Sequence, residues 1–360
     1  MSTATGEESA QSIWLDDISR GRLADGTIAR YVDTWHVTGL TSNPTIYDHA
    51  IRGSDAYDEA IRAALRGGRT GEDLFFDLAI EDIAAAADLF LPVWNRTSGT
   101  DGWVSLEVSP LLAHDGGATL AAAKDLRSRI KRTNAMIKIP GTPAGLVAVE
   151  EAIFAGIPVN VTLLFSREHY LAAAEAYLKG IERRIAAGLS PDVRSVASLF
   201  VSRWDTAVRG RIPRALEDRL GIAIGQRVYR AYWDLLASAR WTNLLERGAR
   251  PQRLLFASTG TKSPGASELL YVEALNLPRT VITMPENTLR ALVQRGPAAA
   301  PKVGLRGDFE GVLSRFRDSG IDVQSVASQL QTQGTAAFAK SWSDLMAVLA
   351  AKGAKLATPH

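Results

Sequence analysis

The chain has 360 residues, of which 46% are hydrophobic and 22% charged, a composition typical of a folded globular protein rather than a disordered one. Lysine and arginine total 41 against 39 for aspartate and glutamate, so the net charge is only +2 and provides no global field that would attract nucleic acid. There is no cysteine, which excludes disulfides and thiolate nucleophiles. No signal-peptide pattern or apolar run of about 18 residues is evident, which predicts a cytoplasmic protein without a membrane partner.

Short apolar runs recur along the chain, and each is followed by a stretch with helical spacing. Because strands that alternate with helices form βα units, this rhythm indicates a parallel sheet. We predict a (β/α)8 barrel, with a doubly wound open sheet as the alternative; in a barrel, chemistry gathers at the carboxyl ends of the strands. The eight predicted strands are Ile13–Leu15, Val37–Leu40, Trp103–Val108, Ala135–Ile139, Ile157–Thr162, Val193–Leu199, Leu254–Ala257 and Thr280–Thr283.

Capping residues predict where helices begin. Thr70 with Asp73 resembles a capping box before a helix over Leu74–Leu91. We expect two or three helices between residues 44 and 100, two between 203 and 247, and a helical C-terminal extension over Gly307–Lys352. No long linker divides the chain, so we predict a flexible tail over residues 1–10 and a single barrel domain over 11–360. Four pairs, each following a predicted strand, are typical of a helix or turn start: Asn43-Pro44, Ser109-Pro110, Thr142-Pro143 and Ser263-Pro264.

Two carboxylates lie at the ends of predicted strands. Asp16 directly follows the first strand, where it is either a general base or, more commonly for an arbitrary strand, a helix-capping aspartate. Glu107 lies within the apolar third strand. Because an unpaired buried carboxylate is very costly, Glu107 either faces a polar interior or belongs to a structural ion pair.

Lys138 is the most informative residue of the sequence, because it is a single cation within a buried-looking strand. A lysine with its ordinary pKa of about 10.4 is almost wholly protonated at pH 7. Burial and nearby cations lower the pKa of a lysine and give the neutral amine that a Schiff base requires. The alternative is a structural lysine, for instance one paired with Glu107.

Polar residues also end the later strands. Asn160 and Thr162 are two residues apart, so in a strand they point the same way, either into the barrel or toward neighbouring strands. Small residues around Lys262 after the seventh strand suit a phosphate, with an ordinary βα turn as the alternative. A P-loop is excluded because Thr261 stands where its glycine would be. The five histidines show no metal spacing, so we predict neither a metal nor a cofactor.

Seven of these strand-end motifs, in order across residues 14 to 290, resemble those of the transaldolases, in particular the longer bacterial type. The resemblance implies a class I aldolase that moves a dihydroxyacetone unit from sedoheptulose 7-phosphate or fructose 6-phosphate to glyceraldehyde 3-phosphate or erythrose 4-phosphate, in the non-oxidative pentose phosphate pathway. The motifs are Trp14–Asp17, Gly39–Thr45, Val104–Val108, Ile137–Thr142, Val159–Ser166, Ser195–Arg203 and Ala257–Lys262.

The resemblance also assigns roles. Lys138 matches the Schiff-base lysine, Asp16 the proton-transfer aspartate, and Glu107 the glutamate that works through a water. Arg203 matches a phosphate-binding arginine, and Lys262 is the candidate replacement for the second arginine that shorter members carry. Asn43, Asn160, Thr162 and Ser198 match residues that hold the dihydroxyacetone part, and the other predicted substrate-binding residues are Thr41, Ser42, Phe200 and Ser258.

Two other functions are compatible with the same residues. One is an aldolase that keeps the Schiff base but acts on another sugar of specialised metabolism. The other is a sugar-phosphate-binding scaffold without catalysis, which the presence of Asp16, Glu107 and Lys138 together disfavours. The sequence leaves open whether the protein is a monomer or a homodimer.

Overall fold

The eight predicted strands are all present and close into a barrel. A computed structural model describes residues 10–296 and 307–357, in which the strands pair in parallel and in chain order, with the last strand paired to the first. The fold is therefore the (β/α)8 barrel and not the open sheet. The strands are β1 Ser12–Asp16, β2 Gly39–Thr41, β3 Trp103–Glu107, β4 Ala135–Pro140, β5 Val159–Leu164, β6 Ser195–Phe200, β7 Gln252–Ala257 and β8 Val281–Met284.

Helices surround the barrel and none of those in the described residues is long and apolar enough to cross a membrane. The predicted tail over residues 1–10 lies almost wholly outside the described residues, so the division into tail and domain stays a prediction. The helices are α1 Arg20–Ala24, α2 Thr27–Trp35, α3 Pro44–Arg52, α4 Asp58–Arg66, α5 Gly71–Arg96, α6 Gly116–Ile130, α7 Pro143–Phe154, α8 Arg167–Ala186, α9 Ser202–Val208, α10 Leu220–Leu236, α11 Ala239–Glu246, α12 Leu270–Ala274, α13 Glu286–Arg295, α14 Phe309–Asp318 and α15 Val323–Ala357.

The strand register determines which side chains meet inside the barrel. Glu107 of β3 pairs with Lys138 of β4, and Lys138 pairs with Asn160 of β5. Asp16 of β1 pairs with Thr41 of β2. Because side chains alternate between the two faces of a strand, the register places these polar groups side by side at the carboxyl end of the barrel.

The capping box predicted at Thr70 is not formed, although α5 begins directly after this residue, and the Ser263-Pro264 pair begins a turn, one of its two predicted outcomes. Thr70 precedes α5, but its hydroxyl forms no capping hydrogen bond; Gly71 has a left-handed φ of 55°, which departs from the regular first turn that a capping box needs. No helix begins at Pro264, because the Ser263 hydroxyl contacts Asp218 and accepts from Arg209 instead of capping amides. The chain continues as a turn, and the next helix begins at Leu270.

The interval from 203 to 247 holds three helices instead of the predicted two. The break that divides α10 from α11 lies at Ser238, whose hydroxyl accepts a hydrogen bond from the Trp241 amide and caps α11. The predictions of two or three helices between 44 and 100 and of a helical C-terminal region are confirmed by α3 to α5 and by α14 and α15. Asn43 and Thr142 cap α3 and α7 with their side chains as expected.

Helix α15 lies against the carboxyl end of the barrel. The Gln331 amide donates to the carbonyls of Gly141 and Leu163, at 3.0 and 3.1 Å. Leu163 has a left-handed φ of 60° where the register between β5 and β6 shifts, so its carbonyl lies outside the regular sheet pattern. Farther along the helix, the Trp342 indole donates to Glu72 of α5 at 2.8 Å. These contacts fix α15 over the strand ends.

Helix α7 begins very close to the end of β4, and this contact holds the strand that carries Lys138. A Cβ added at Gly145 would lie 1.9 Å from the Pro140 carbonyl oxygen. We therefore expect Gly145→Ala to lower the free energy of unfolding by about 1–3 kcal/mol or more, because a clash with the backbone is not relieved by a rotamer change. Urea unfolding followed by circular dichroism measures this.

The matched control is Gly21→Ala in α1, where an added Cβ would meet nothing within 4 Å. There we expect no loss and a gain of up to about 1 kcal/mol from the better helix propensity of alanine. Equal effects of the two substitutions would contradict the close approach of α7 to β4.

Candidate active site

Lys138 lies buried at the carboxyl end of the barrel, next to two carboxylates. Its Nζ is 3.3 Å from Glu107 Oε2 and donates a hydrogen bond to the Ser42 carbonyl at 3.1 Å. Asp16 ends β1 and accepts a hydrogen bond from the Thr41 hydroxyl at 2.9 Å. The structure thus brings together the three residues that the sequence predicts as catalytic, from β1, β3 and β4.

Burial controls the protonation of both carboxyls. Loss of water raises the pKa of Glu107 despite the opposing attraction of Lys138. Loss of water likewise raises the pKa of Asp16, although Lys138, the Thr41 hydroxyl and Lys262 all favour its ionised form. Glu107 Oε2 lies 3.3 Å from Lys138 Nζ but forms no hydrogen bond within residues 10–296 and 307–357, so it has a free acceptor position inside the site. Carboxyls with raised pKa values in a cleft are typical of proton-transfer sites.

Asp17 lies outside this group although it follows Asp16 directly. Its carboxylate contacts the Arg22 guanidinium, which also contacts Glu286. Because successive residues of a strand point to opposite faces, only Asp16 of the two shares the interior with Lys138. This placement agrees with the choice of Asp16 as the candidate base.

Asn160 is held in one orientation beside Lys138. Ser198 donates from its hydroxyl to Asn160 Oδ1 at 2.7 Å, and Asn160 Nδ2 donates to the Ser105 hydroxyl at 3.2 Å. Thr162 is fully buried, and its hydroxyl has no hydrogen-bond partner within residues 10–296 and 307–357. Since a buried hydroxyl without a partner is costly, Thr162 is well suited to bind a hydroxyl of a ligand.

The loop after β2 has two structural roles besides its predicted one. The Ser42 hydroxyl donates to the Ser105 carbonyl at 2.8 Å, so this loop is tied to β3. Asn43 Oδ1 accepts from the Ile46 amide at 3.1 Å and caps α3. The capping function that the sequence favours for Asn43 is therefore present.

Two cations stand at the rim without a carboxylate partner in the described parts of the chain. The Arg203 guanidinium lies beside two rings that contact each other, 5.3 Å from the centre of Phe200 and 5.9 Å from that of Phe338. Lys262 is exposed on the loop after β7 and close enough to attract the Asp16 carboxylate. Ser258 shares a hydrogen bond with Ser202 at 3.0 Å at the base of this loop. A pair of unpaired cations beside a polar pocket favours an anionic ligand.

Sequence reasoning missed Ser105 and Phe338. Ser105 was detectable, because it lies two residues before Glu107 on one strand and therefore shares its face. Phe338 lies on α15 with its ring 6.0 Å from Lys138 Nζ. It follows no strand and carries no polar group, so no local signal marks it as part of the site.

The chain is similar to known proteins over most of its length. A family model described as Transaldolase/Fructose-6-phosphate aldolase matches residues 13–349. Transaldolase 1 of Streptomyces avermitilis is 42% identical over 348 residues, 94% of this chain and 92% of the relative. Transaldolase of Thermobifida fusca is 42% identical over 93% of this chain and 94% of its own length. Transaldolase of an Arthrobacter species is 40% identical over 96% of each chain.

The raised pKa of Asp16 predicts a gain in stability when its charge is removed. In the folded chain this carboxyl ionises less readily than at its ordinary pKa of 3.8, so ionisation destabilises the fold as the pH rises through the folded pKa. We expect Asp16→Asn to raise the midpoint of thermal unfolding at pH 8. The gain should shrink as the pH falls toward 4, because the raised pKa makes the native carboxyl increasingly protonated, and a protonated carboxyl is as neutral as the amide. Midpoints measured between pH 4 and pH 8 test this.

Asp88→Asn is a control with the opposite sign. Hydrogen bonds from Arg132 lower the pKa of Asp88, so its ionised form stabilises the fold and its removal should lower the midpoint at pH 8. A midpoint for Asp16→Asn that is lower than the native one throughout would contradict the destabilising effect of the buried carboxylate.

Proposed function

Because the chain belongs to the transaldolase/fructose-6-phosphate aldolase family, we propose that it transfers a dihydroxyacetone unit through a Schiff base at Lys138. Its activity is that of a transaldolase, a transferase, as in relatives about 42% identical over nearly the whole chain. The observation that supports Lys138 is its buried position, with Nζ 3.3 Å from the Glu107 carboxylate, in a barrel mouth shared with Asp16. The comparisons favour neither of the two alternative functions.

The first half-reaction forms the Schiff base. Glu107 accepts a proton from the Lys138 ammonium, which the raised pKa of Glu107 favours, and the neutral amine attacks the C2 carbonyl of a ketose phosphate. The resulting carbinolamine loses its hydroxyl as water when Glu107 returns the proton, directly or through a water molecule. The product is a protonated imine on Lys138. Its positive charge takes up electrons in the next step, as in other lysine Schiff bases.

Cleavage of the sugar requires a base at the C4 hydroxyl. Asp16 removes that proton, the C3–C4 bond breaks, and its electron pair moves to the imine to give an enamine. The aldose phosphate leaves, and the three-carbon unit stays bound to Lys138. Asn160 and Thr162 hold its hydroxyls, because the Asn160 amide is fixed by Ser198 and Ser105 and the Thr162 hydroxyl lacks a protein partner. A second aldose phosphate then accepts the unit by the reverse steps.

The substrate phosphate binds at the rim of the barrel, between Arg203 and Lys262. Both cations lack a carboxylate partner in residues 10–296 and 307–357, and phosphate is a preferred ligand of arginine. We propose sedoheptulose 7-phosphate or fructose 6-phosphate as donors and glyceraldehyde 3-phosphate or erythrose 4-phosphate as acceptors, in the non-oxidative pentose phosphate pathway. The proposed compartment is the cytoplasm, and the proposed form is a monomer or homodimer.

A borohydride trapping experiment tests the Schiff base. We expect protein mixed with fructose 6-phosphate and borohydride to gain the mass of one reduced three-carbon unit, mapped by peptide mass spectrometry to Lys138. Lys138→Met should lose both this adduct and turnover while retaining its circular dichroism spectrum, because no other side chain supplies the amine. Trapping reports the covalent step even when the acceptor is poor.

Lys340→Met is the matched control, because Lys340 is exposed on α15 and paired with Asp344. It should trap and turn over as the native protein does. An adduct on a different lysine, or retained turnover in Lys138→Met, would refute the proposed role of Lys138.

A second experiment tests the phosphate site. We expect Arg203→Met to raise the KM for the phosphorylated acceptor at least about tenfold, equivalent to about 1.4 kcal/mol, and to change trapping by unphosphorylated dihydroxyacetone little. Methionine keeps the contact with the rings of Phe200 and Phe338 but removes the charge. Lys262→Met should raise the same KM.

Arg62→Met on α4 serves as the control, since Arg62 is exposed and far along the chain from any strand end. If neither rim variant raises the KM more than this control does, the phosphate lies elsewhere.

A further inference from the structure

A second cavity opens at the other end of the barrel, where the strands begin. Its volume is about 420 Å³, within the range of small-molecule sites. Its floor includes Ser12, Ser195 and Arg253, which lie at or next to the amino ends of β1, β6 and β7. The catalytic residues Asp16 and Glu107 end their strands, so the two sites lie at opposite mouths of one barrel.

The cavity carries more positive than negative charge. Four arginines line it, namely Arg194, Arg250, Arg253 and Arg279. Asp101 neutralises Arg253, and Asp192 alone contacts both Arg194 and Arg250. Two carboxylates thus face four guanidinium groups, which leaves an excess of two positive charges in the wall of the cavity.

Arg279 is the cation best placed to bind a ligand. Its guanidinium lies 5.5 Å from the ring centre of Trp233, and it has no carboxylate partner within residues 10–296 and 307–357. The Arg253 guanidinium, in contrast, already has hydrogen-bond partners within the protein, because it donates to the Ser12 hydroxyl and to the carbonyls of Thr100 and Thr280. Arg279 therefore supplies a free charge at the cavity wall, presented on an aromatic surface.

Aromatic rings form part of the remaining wall. Trp103, Tyr232 and Trp241 line the cavity and are all buried. Flat rings favour a planar ligand group because stacked aromatic pairs are stabilised beyond the burial of their area. From the combination of a free guanidinium, excess positive charge and aromatic walls, we propose that this cavity binds a small organic anion with a planar ring, of the size and chemistry of a nucleoside monophosphate.

In this proposal the phosphate of the nucleotide pairs with Arg279, and Arg250 on the same wall adds positive charge. The base of the nucleotide inserts between the aromatic side chains. The proposal does not depend on the transaldolase reaction. None of the lining residues belongs to the group around Lys138.

Binding of AMP tests the proposal. Isothermal titration and quenching of tryptophan fluorescence should both give a Kd below about 1 mM. Adenosine, which lacks the charge, and inorganic phosphate, which lacks the ring, should each bind at least about tenfold more weakly. No heat and no quenching with AMP up to that concentration would overturn the proposal.

Variants distinguish this cavity from the catalytic mouth. Arg279→Ala should weaken AMP binding at least about tenfold while leaving transaldolase turnover and the circular dichroism spectrum unchanged. Ala237→Trp, which adds bulk at an exposed residue of the cavity wall, should block binding in a protein that keeps all four arginines. Arg230→Ala is the control, because Arg230 is exposed and paired with Asp234 outside the cavity. Binding that is lost in Arg203→Met but retained in Arg279→Ala would place AMP at the catalytic mouth and refute the proposal.

Discussion

The pair formed by Lys138 and Glu107 depends on the register of neighbouring strands. Removing two charged groups from water costs several kcal/mol for each, and close partners recover this cost only when the geometry is held. The β3–β4 pairing places Glu107 beside Lys138, and the β4–β5 pairing places Asn160 on the other side. A slip of one residue in either pairing would turn one partner toward the surrounding helices. Closure of the barrel prevents such a slip, because every strand is bonded on both sides.

The outer layers of the site reinforce this arrangement. Helix α7 contacts the end of β4 so closely that only glycine is accommodated at residue 145. The Gln331 amide of helix α15 donates to two carbonyls, that of Gly141, directly after β4, and that of Leu163, where the regular pattern of β5 is broken. Rigid backbone around Lys138 matters for catalysis, because a reacting group displaced by about 1 Å loses much of its effect. The scaffold therefore positions the Lys138 amine in addition to burying it.

The fold and the inner part of the site were predictable because both depend on local patterns. Apolar runs mark strands, and a charged residue such as Lys138 within such a run must face a polar interior. Phe338 was not predictable, since its place beside Lys138 results from the path of α15 across the barrel, a long-range contact without a local signature. The missing side-chain caps at Thr70 and Ser263 have a related cause: Gly71 departs from helical geometry, and tertiary partners occupy the Ser263 hydroxyl. Residue type suggests a capping hydrogen bond, but the local backbone and the three-dimensional neighbours decide whether it forms.

The order of the elements along the chain has a consequence for biosynthesis. The ribosome makes β1 first, but this strand bonds to β8, and α15 covers the barrel mouth only after all eight strands have been made. Domains generally fold as units during synthesis, so a nascent chain that ends before residue 323 lacks both Gln331 and Phe338. Such a chain exposes the mouth that holds Lys138 to water. Completion of the site is thereby linked to translation of the last long helix, because the contacts of Gln331 and Phe338 with the barrel mouth form only once that segment has been made and docks.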